Sequence, residues 1–268
     1  MNIEEKVAEY YGKTGLIPDV LDRIRKNATD PNCLTLSDLE PYDNMHIGGP
    51  QATQALLEAM DLSSGAKVLD VGAGLGGSAR FIASKTNAHV TGIDLTSDYA
   101  ELANLLSAEV GLTESTVFKQ GSALDLPFED EMFDAAYIFH VGMNIKDKDL
   151  LFEQVFKVIR PSGVIGVFDI MGEQNNELSF PMPWAENQET SFLCAPDHYK
   201  SMLVKAGFEI SYEKDMTDFA HKSLEKLISH LDQSPNAHGK SLTIKFMNLF
   251  NAIRDGILCP HIFVAIKA

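Results

Sequence analysis

The chain has 268 residues, 45% of them hydrophobic and 22% charged, which is typical of a globular protein with a sizeable core. Its formal net charge of -16 argues against nucleic acid as a partner, because a phosphate backbone is bound by clustered Lys and Arg. Residues 1–6 hold no apolar run, and no stretch of about 18 uncharged apolar residues follows, so we expect a cytoplasmic protein without a membrane span.

The chain begins with apolar residues that recur at helical spacing. They predict helix over residues 3–26, with a break at residues 12–15. Three prolines and a Gly-Gly pair interrupt residues 30–50, which we interpret as a long loop of the kind that usually carries a function. A further helix is predicted to begin at Gln51.

From residue 67 onwards, short apolar runs alternate with helical stretches of about a dozen residues. Seven runs predict strands, at residues 67–71, 89–93, 116–119, 133–139, 163–170, 208–213 and 262–267. Helices are predicted between them at residues 76–86, 97–110, 148–159 and 196–206. Because such units join parallel strands through right-handed crossovers, the predicted fold class is α/β, a doubly wound and mostly parallel sheet.

Two segments do not belong to this alternation. Residues 172–195 form a long stretch containing prolines, and residues 218–256 hold two helical patterns around a polar break at residues 233–240. We expect both to be insertions that cap a substrate. The predicted organisation is a single domain at 1–268, with an N-terminal helical segment at 1–50, a cofactor-binding core at 62–170 and insertions at 172–195 and 218–256.

A glycine-rich loop follows the first predicted strand, in the stretch VLDVGAGLGGSAR. Gly72, Gly74 and Gly77 fit G-x-G-x-x-G, the dinucleotide fingerprint. A second reading, G-x-G-x-G, fits the same loop equally well. Asp94 ends the second strand, where a carboxylate can accept the ribose hydroxyls of NAD or of an adenosyl cofactor. The glycines and Asp94 therefore leave the cofactor open.

Asp70 separates the two readings. It lies two residues before the first glycine of the loop, where a dinucleotide site must accommodate a pyrophosphate. A carboxylate repels a bound anion, whereas it attracts an ammonium or sulfonium group. Asp70 therefore favours a cationic cofactor, S-adenosylmethionine. A purely structural alternative is that Asp70 caps backbone N–H groups of the turn, which is compatible with cofactor binding.

Four stretches in chain order resemble the successive motifs of class I S-adenosylmethionine-dependent methyltransferases. They are VLDVGAGLGGSARFIA, HVTGIDLT, GSALDLPFEDEMFDAAYIFHV and LLFEQVFKVIRPSGVIGVFDI. The resemblance covers residues 45–215 and implies a Rossmann-like, seven-stranded methyltransferase fold. The stretches NMHIGG, FHVGMNIKDK and FPMPWAENQETSFL are similar to the small-molecule branch that includes sarcosine/dimethylglycine and quinone or tocopherol methyltransferases.

The resemblance implies roles for several residues at the cofactor. It implies that the loop lies against the methionine part, that Asp94 holds the ribose, and that three further residues contact the adenine. The loop residues are Gly72, Ala73 and Gly74, and the adenine contacts are Leu95, Ser122 and Ala123. Many relatives have Asp at position 122, and a Ser hydroxyl accepts a hydrogen bond less strongly than a carboxylate.

The acceptor site is expected beyond the fourth strand. His140 ends that strand, where relatives place a residue facing the methyl group, and an imidazole there can act as a base or orient the acceptor. Met143, Asn144 and Trp184 are candidates for the substrate pocket, although Met143 and Trp184 are also compatible with a role in the core. In relatives the N-terminal segment forms a lid over the cofactor, so the list of candidate contacts also includes Tyr11 and His46.

We therefore expect an enzyme that transfers a methyl group from S-adenosylmethionine to a small molecule, with an amine nitrogen as the favoured acceptor. Three alternatives remain at this level: methylation of carbon or oxygen in a quinol or phenol, an NAD(P)-dependent oxidoreductase, and a non-catalytic S-adenosylmethionine-binding protein. The cysteines and histidines are scattered without ligand spacing, so no metal is expected.

Overall fold

The computed structural model describes residues 2–12, 20–173, 177–231 and 237–268. Their strands form a seven-stranded sheet in the order β3-β2-β1-β4-β5-β7-β6. The bounds are β1 (Lys67–Val71), β2 (His89–Asp94), β3 (Thr116–Gln120), β4 (Phe133–Phe139), β5 (Ile159–Met171), β6 (Phe208–Asp215) and β7 (Cys259–Lys267). Strands β1 to β5 pair in parallel, and β7 pairs antiparallel with β5 and β6. The predicted fold class is confirmed.

Helices cover both faces of the sheet. They are α1 (Ile3–Gly12), α2 (Val20–Asn27), α3 (Leu36–Asp43), α4 (Gly49–Met60), α5 (Gly77–Thr86), α6 (Ser97–Glu109), α7 (Lys148–Val158), α8 (Pro196–Ala206), α9 (Thr217–Leu231) and α10 (Ala237–Arg254). Val68 of β1 packs with α4, α5 and α6, whereas Leu69 beside it packs with α7 and α8. Full burial of such a side chain stabilises the fold by about 1.5–3 kcal/mol. Burial on both faces explains why the central strands read as continuous apolar runs.

Helix α3 lies inside the stretch predicted as a loop, so the loop prediction for residues 30–50 was wrong at this point. Thr35 and Asp38 form a capping box, in which the Thr35 N–H and hydroxyl donate to the Asp38 carboxylate at 2.8 and 2.6 Å. Pro41 lies within the helix and argued against it locally, because proline removes a helical hydrogen bond. The complete burial of Leu39 offsets that loss.

Two predicted breaks fall partly outside the described residues. Helix α1 ends at Gly12, which agrees with the start of the break at residues 12–15, and residues 13–15 lie outside the description. Helix α10 already begins at Ala237, so the predicted polar break at residues 233–240 ends earlier than expected. Residues 233–236 also lie outside the described part of the chain.

The two segments predicted as insertions lie together at the carboxyl edge of the sheet. Helices α9 and α10 pack against the segment that contains Trp184 and form a buried apolar cluster with it. The two helical patterns predicted in residues 218–256 are therefore present. None of the described helices combines the length and apolar character that a bilayer crossing requires.

Candidate active site

The carboxyl ends of β1 and β4 mark the place where the sheet can bind a ligand. These strands are neighbours, and the order of strands along the chain reverses between them, so the connections that follow diverge and leave a crevice. A cavity of about 1490 Å³ occupies this crevice. Its walls come from the loops after β1, β2 and β4, and from α1, α9 and α10.

The glycine loop after β1 is held tightly against the sheet. The N–H groups of Gly72 and Ala73 both donate to the carbonyl of Ile93, at 2.8 and 2.9 Å. Gly72 has a φ of 78°, and a Cβ there would lie 2.3 Å from Cγ2 of Val141. Glycine is therefore needed for its left-handed backbone and for the close approach of the β4 loop. Gly74, with a φ of 52°, lines the cavity beside Ala73.

Asp94 connects the ends of β1 and β2. Its Oδ2 accepts from the N–H of Gly74 at 2.9 Å, and its Oδ1 accepts from the N–H of Thr96 at 2.9 Å. Burial raises the pKa of the Asp94 carboxyl above its ordinary value, and the two backbone donors oppose this shift. Asp94 lines the cavity, and since the Thr96 hydroxyl also lies beside the carboxylate, at least one lone pair is left for a further donor.

Asp70 at the end of β1 is buried, with 3% of its surface exposed. Its Oδ2 has no hydrogen-bond partner among the described residues, although the residue lines the cavity. Burial raises the pKa of the Asp70 carboxyl to about 7, although the neighbouring Tyr137 hydroxyl and the charge of Arg80 act in the opposite direction, and the carboxylate of Asp94 adds to the rise. Because burial dominates and acts against the negative charge, a further cation bound beside Asp70 would stabilise the ionised form.

His140 follows β4 and lines the same cavity. Its backbone N–H donates to the carbonyl of Phe168 at 2.9 Å, and its Nδ1 lies 3.1 Å from the same oxygen. Since a carbonyl only accepts, the proton of the neutral ring lies on Nδ1 and the lone pair on Nε2. Nε2 is buried without a partner in the described chain. Burial lowers the pKa of His140 to about 3, so the ring is neutral at physiological pH.

The backbone of His140 has a φ of 54°. This left-handed conformation is uncommon for a residue with a side chain, and such strain concentrates at functional sites. The two bonds to Phe168 hold both the backbone and the ring in this arrangement. The imidazole is therefore fixed in orientation before any ligand binds.

His46 provides a second neutral imidazole in the cavity wall. Its ring stacks on Phe139 with centroids 4.5 Å apart, and its centroid lies 6.2 Å from that of His140. Its Nε2 lies 3.0 Å from the carbonyl of Gly49. Burial lowers the pKa of His46 to about 4. The two histidines bring polar but uncharged groups to the wall of the cavity.

The four substrate candidates also lie together in the cavity wall. The Tyr11 hydroxyl donates to Oδ1 of Asn144 at 3.0 Å. Nδ2 of Asn144 donates to the carbonyls of Trp184 and Thr190, at 3.0 and 2.9 Å. Met143 is buried in the apolar cluster beside them. Asn144 therefore ties α1 to the Trp184 segment, and one lone pair on Oδ1 is left for a ligand.

Only two of the three residues expected at the adenine line the cavity. Leu95 and Ala123 line the cavity, whereas Ser122 does not. The Ser122 hydroxyl donates to Oε1 of Glu4 in α1 at 2.5 Å, and its oxygen accepts from the N–H of Leu124 at 2.9 Å. Glu4 does line the cavity, and sequence reasoning missed it because its partner lies more than one hundred residues away.

Sequence reasoning also missed two buried polar pairs around the site. Arg80 in α5 forms a buried ion pair with Asp43 of α3 at 2.7 Å. The Tyr199 hydroxyl donates to Oδ2 of Asp169 at 2.6 Å behind the turn that follows His140. No local pattern indicates these pairs, since each joins distant parts of the chain. Among the described residues, no group of three or more His, Cys, Asp or Glu side chains is placed to hold a metal.

The sequence is similar to those of known methyltransferases. A family model described as "Methyltransferase domain" matches residues 62–207, more than half of the chain. The chain is 29% identical over 182 residues to phosphoethanolamine N-methyltransferase of Plasmodium falciparum (isolate 3D7), covering 66% of each sequence. It is also 29% identical over 167 residues to a sterol 24-C-methyltransferase of Gibberella zeae, covering 60% of this chain and 44% of that one.

A solved structure shows the same fold. Phosphoethanolamine N-methyltransferase 2 of Haemonchus contortus, in complex with phosphomonomethylethanolamine and S-adenosylhomocysteine, superposes with a TM-score of 0.75 at 21% identity. The match covers 94% of this chain and 60% of that one. This chain therefore spans two thirds or less of the length of these relatives.

Proposed function

The chain belongs to the methyltransferase domain family, and we propose that it transfers a methyl group from S-adenosylmethionine to a small-molecule acceptor, with an amine nitrogen as the methylated atom. The observation that carries the proposal is the buried carboxyl of Asp70. It lines the cavity at the end of β1, its Oδ2 has no hydrogen-bond partner among the described residues, and a sulfonium or ammonium group beside it would add to the attraction that Arg80 already exerts on its negative charge.

The residues around the glycine loop suit this cofactor. We propose that Asp70 and the backbone from Gly72 to Gly74 hold its amino-acid part, and that Asp94 accepts from its ribose hydroxyls. Leu95 and Ala123 provide apolar surface for an adenine. The predicted contact of Ser122 would use the one lone pair that Leu124 leaves free, and it stays a prediction.

S-adenosylmethionine supplies a methyl group that is already activated by its sulfonium, so the chain has mainly to align the acceptor and exclude water. We propose that Nε2 of His140 accepts a hydrogen bond from the N–H of the acceptor amine and so directs the lone pair of the nitrogen. With a pKa of about 3, His140 can accept a hydrogen bond but is too weakly basic to take up the proton as a general base. We therefore expect the amine to react in its neutral form and its proton to leave to solvent.

An amine acceptor agrees with the phosphoethanolamine N-methyltransferases among the relatives. The sterol relative is a C-methyltransferase by name, so methylation of carbon is the second candidate. Membership of the methyltransferase family does not favour the oxidoreductase alternative. The role of residues 1–50 as a lid is supported by the contacts of α1 with Ser122 and Asn144, and a cytoplasmic location stays a prediction.

The decisive experiment measures cofactor binding and methyl transfer separately. Calorimetry should detect S-adenosylmethionine and S-adenosylhomocysteine but not NADH. Asp94→Ala should weaken that binding at least tenfold, because two oxygens that organise the loop and face the cavity are lost. Asp98→Ala is the matched control, since Asp98 is exposed on α6 four residues away.

Transfer of a labelled methyl group to a panel of amines, phenols and quinols then tests the reaction. Binding of NADH without binding of either adenosyl compound would refute the cofactor. Binding without transfer to any acceptor class would leave a binding protein instead of an enzyme. Transfer to phenols or quinols but not to amines would show that the methylated atom is oxygen or carbon and not nitrogen.

A further inference from the structure

The cavity is larger than one ligand requires. Its volume of about 1490 Å³ exceeds the roughly 300–1,000 Å³ that is usual for a single small-molecule site. The glycine loop and the ends of β1 and β2 form one part of it. The other part extends past His140 between α9, α10 and the Trp184 segment, and we call this second part the insertion compartment. The insertion compartment is a candidate for the binding site of the methyl acceptor.

The insertion compartment has apolar walls. Leu224 of α9, Leu249 of α10 and Trp184 are each only 1% exposed and belong to one apolar cluster, yet all three line the cavity. Phe246 of α10 and Leu227 of α9 extend the same wall towards solvent. Because Leu224, Leu249 and Trp184 are already buried, the favourable contribution to binding would come from the apolar surface of the ligand itself and from Leu227, which is 38% exposed.

The two buried lysines that face this compartment already have partners, whereas Lys146, which also lines the cavity, is exposed. Nζ of Lys245 lies 2.6 Å from Oε1 of Glu186 and donates to the Tyr10 hydroxyl at 2.8 Å. Nζ of Lys148 donates to the carbonyls of Ile145 and Phe192. Both lysines are less than one tenth exposed. A phosphate or carboxylate on the acceptor would therefore have to displace existing partners.

No carboxylate on the described parts of α9 and α10 lines the cavity either. The acidic residues that line it lie in the cofactor half, in α1 and α3, or at the rim in residues 147–149. Of the polar residues that α9 and α10 contribute, the cavity wall includes Ser223 and Lys245. A fixed positive charge on the body of the acceptor would be buried without a counter-charge, and a negative charge would have to compete with the present partners of Lys148 and Lys245.

We propose that the acceptor carries an uncharged hydrocarbon body, seated in the insertion compartment against Trp184, α9 and α10, with its methylated nitrogen directed at His140. This inference rests on the proposed function and specifies its substrate class as an apolar amine. It distinguishes the chain from relatives named for phosphoethanolamine, whose acceptor carries a phosphate. The insertions thus select the acceptor by burial of apolar surface.

Trp184 is the only tryptophan of the chain and lines the compartment, so its fluorescence reports occupancy directly. The full chain is titrated with n-alkylamines from butylamine to dodecylamine, and with phosphoethanolamine and glycine as charged comparators. We expect Kd to tighten by roughly two- to fourfold per methylene until the compartment is full. The two comparators should leave the emission unchanged at millimolar concentration.

Matched variants separate specific binding from partition onto any apolar surface. Leu227→Glu introduces a charge into the compartment wall at a residue that is 38% exposed. Leu105→Glu makes the same change on α6, at a residue that is 44% exposed and outside the cavity. We expect Leu227→Glu to weaken dodecylamine binding at least tenfold and Leu105→Glu to leave it unchanged. Calorimetry with S-adenosylhomocysteine checks that both variants retain the cofactor site.

Three results would overturn the proposal: tighter binding of phosphoethanolamine or glycine than of the alkylamines, no dependence on chain length, or equal loss in the two variants. Because the titration needs neither cofactor nor turnover, it can succeed when methyl transfer fails. Conversely, loss of S-adenosylmethionine binding with intact alkylamine binding would refute the proposed function alone.

Discussion

The buried pair of Arg80 and Asp43 should be the most sensitive polar contact around the cofactor site. The Arg80 guanidinium is completely buried. Besides Asp43, its donors reach the carbonyls of Leu75 and Ala103 and the Ser107 hydroxyl, the last two at 3.1 and 3.3 Å. Asp43→Ala would leave the guanidinium without a directly bonded carboxylate, since its remaining hydrogen-bond partners are neutral.

Removing one member of such a buried pair typically costs about 3–5 kcal/mol. The total free energy of unfolding of a domain is about 5–15 kcal/mol, so Asp43→Ala should remove a large part of it. Asp43→Asn keeps an oxygen acceptor for Arg80 and should cost less. We also expect weaker cofactor binding, because Asp43 packs beside Gly77 and Arg80 holds the carbonyl of Leu75 in the glycine loop.

Urea denaturation measures this cost as the change in midpoint multiplied by the slope. Asp130→Ala is the control, because Asp130 pairs with Lys157 at 3.3 Å while both side chains are more than half exposed. An exposed pair contributes about 1 kcal/mol or less. Equal costs for Asp43→Ala and Asp130→Ala would refute the view that Arg80 depends on Asp43 for its charge.

Three further predictions concern the site itself. His140→Gln should lower kcat about 10- to 100-fold through loss of one positioned acceptor while the Kd of S-adenosylmethionine stays unchanged; a parallel loss of both would assign His140 to cofactor binding. Since ionised Asp70 attracts a cation and its pKa is about 7, S-adenosylmethionine should bind roughly fivefold more weakly at pH 6 than at pH 7, a range in which the amino group of the cofactor stays protonated. In Asp70→Asn this pH dependence should disappear, and its persistence would contradict the proposed contact. Gly72→Ala should abolish cofactor binding. The control is Gly65→Ala, because Gly65 also has a left-handed φ, of 77°, but no neighbour within 4 Å of an added Cβ; this variant should lose only about 1 kcal/mol of stability. Similar cofactor binding in both variants would exclude a steric role for Gly72.

Local sequence patterns are sufficient to predict the central strands, the glycine loop and the position of His140. The strand pattern around Val68 and Leu69 follows from burial on both faces, and the glycines after β1 follow from the turn they form. His140 could be placed at the site because it directly follows β4, whose end must lie at the crevice. Helix α3 was missed because Pro41 gave a strong local signal against it, while the compensating burial of Leu39 is a tertiary effect.

The pairings that complete the site depend on chain topology, which no window of sequence contains. Glu4 reaches Ser122, and Lys245 reaches Glu186, only because α1 and α10 close over the same edge of the sheet. These contacts decide which charges remain free in the cavity, and hence what it can bind. The part of the cavity at the glycine loop can therefore be predicted from one loop and two strand ends. The insertion compartment could not be predicted, because it forms only when α9 and α10 fold against Trp184, and each residue there is individually an ordinary apolar helix position.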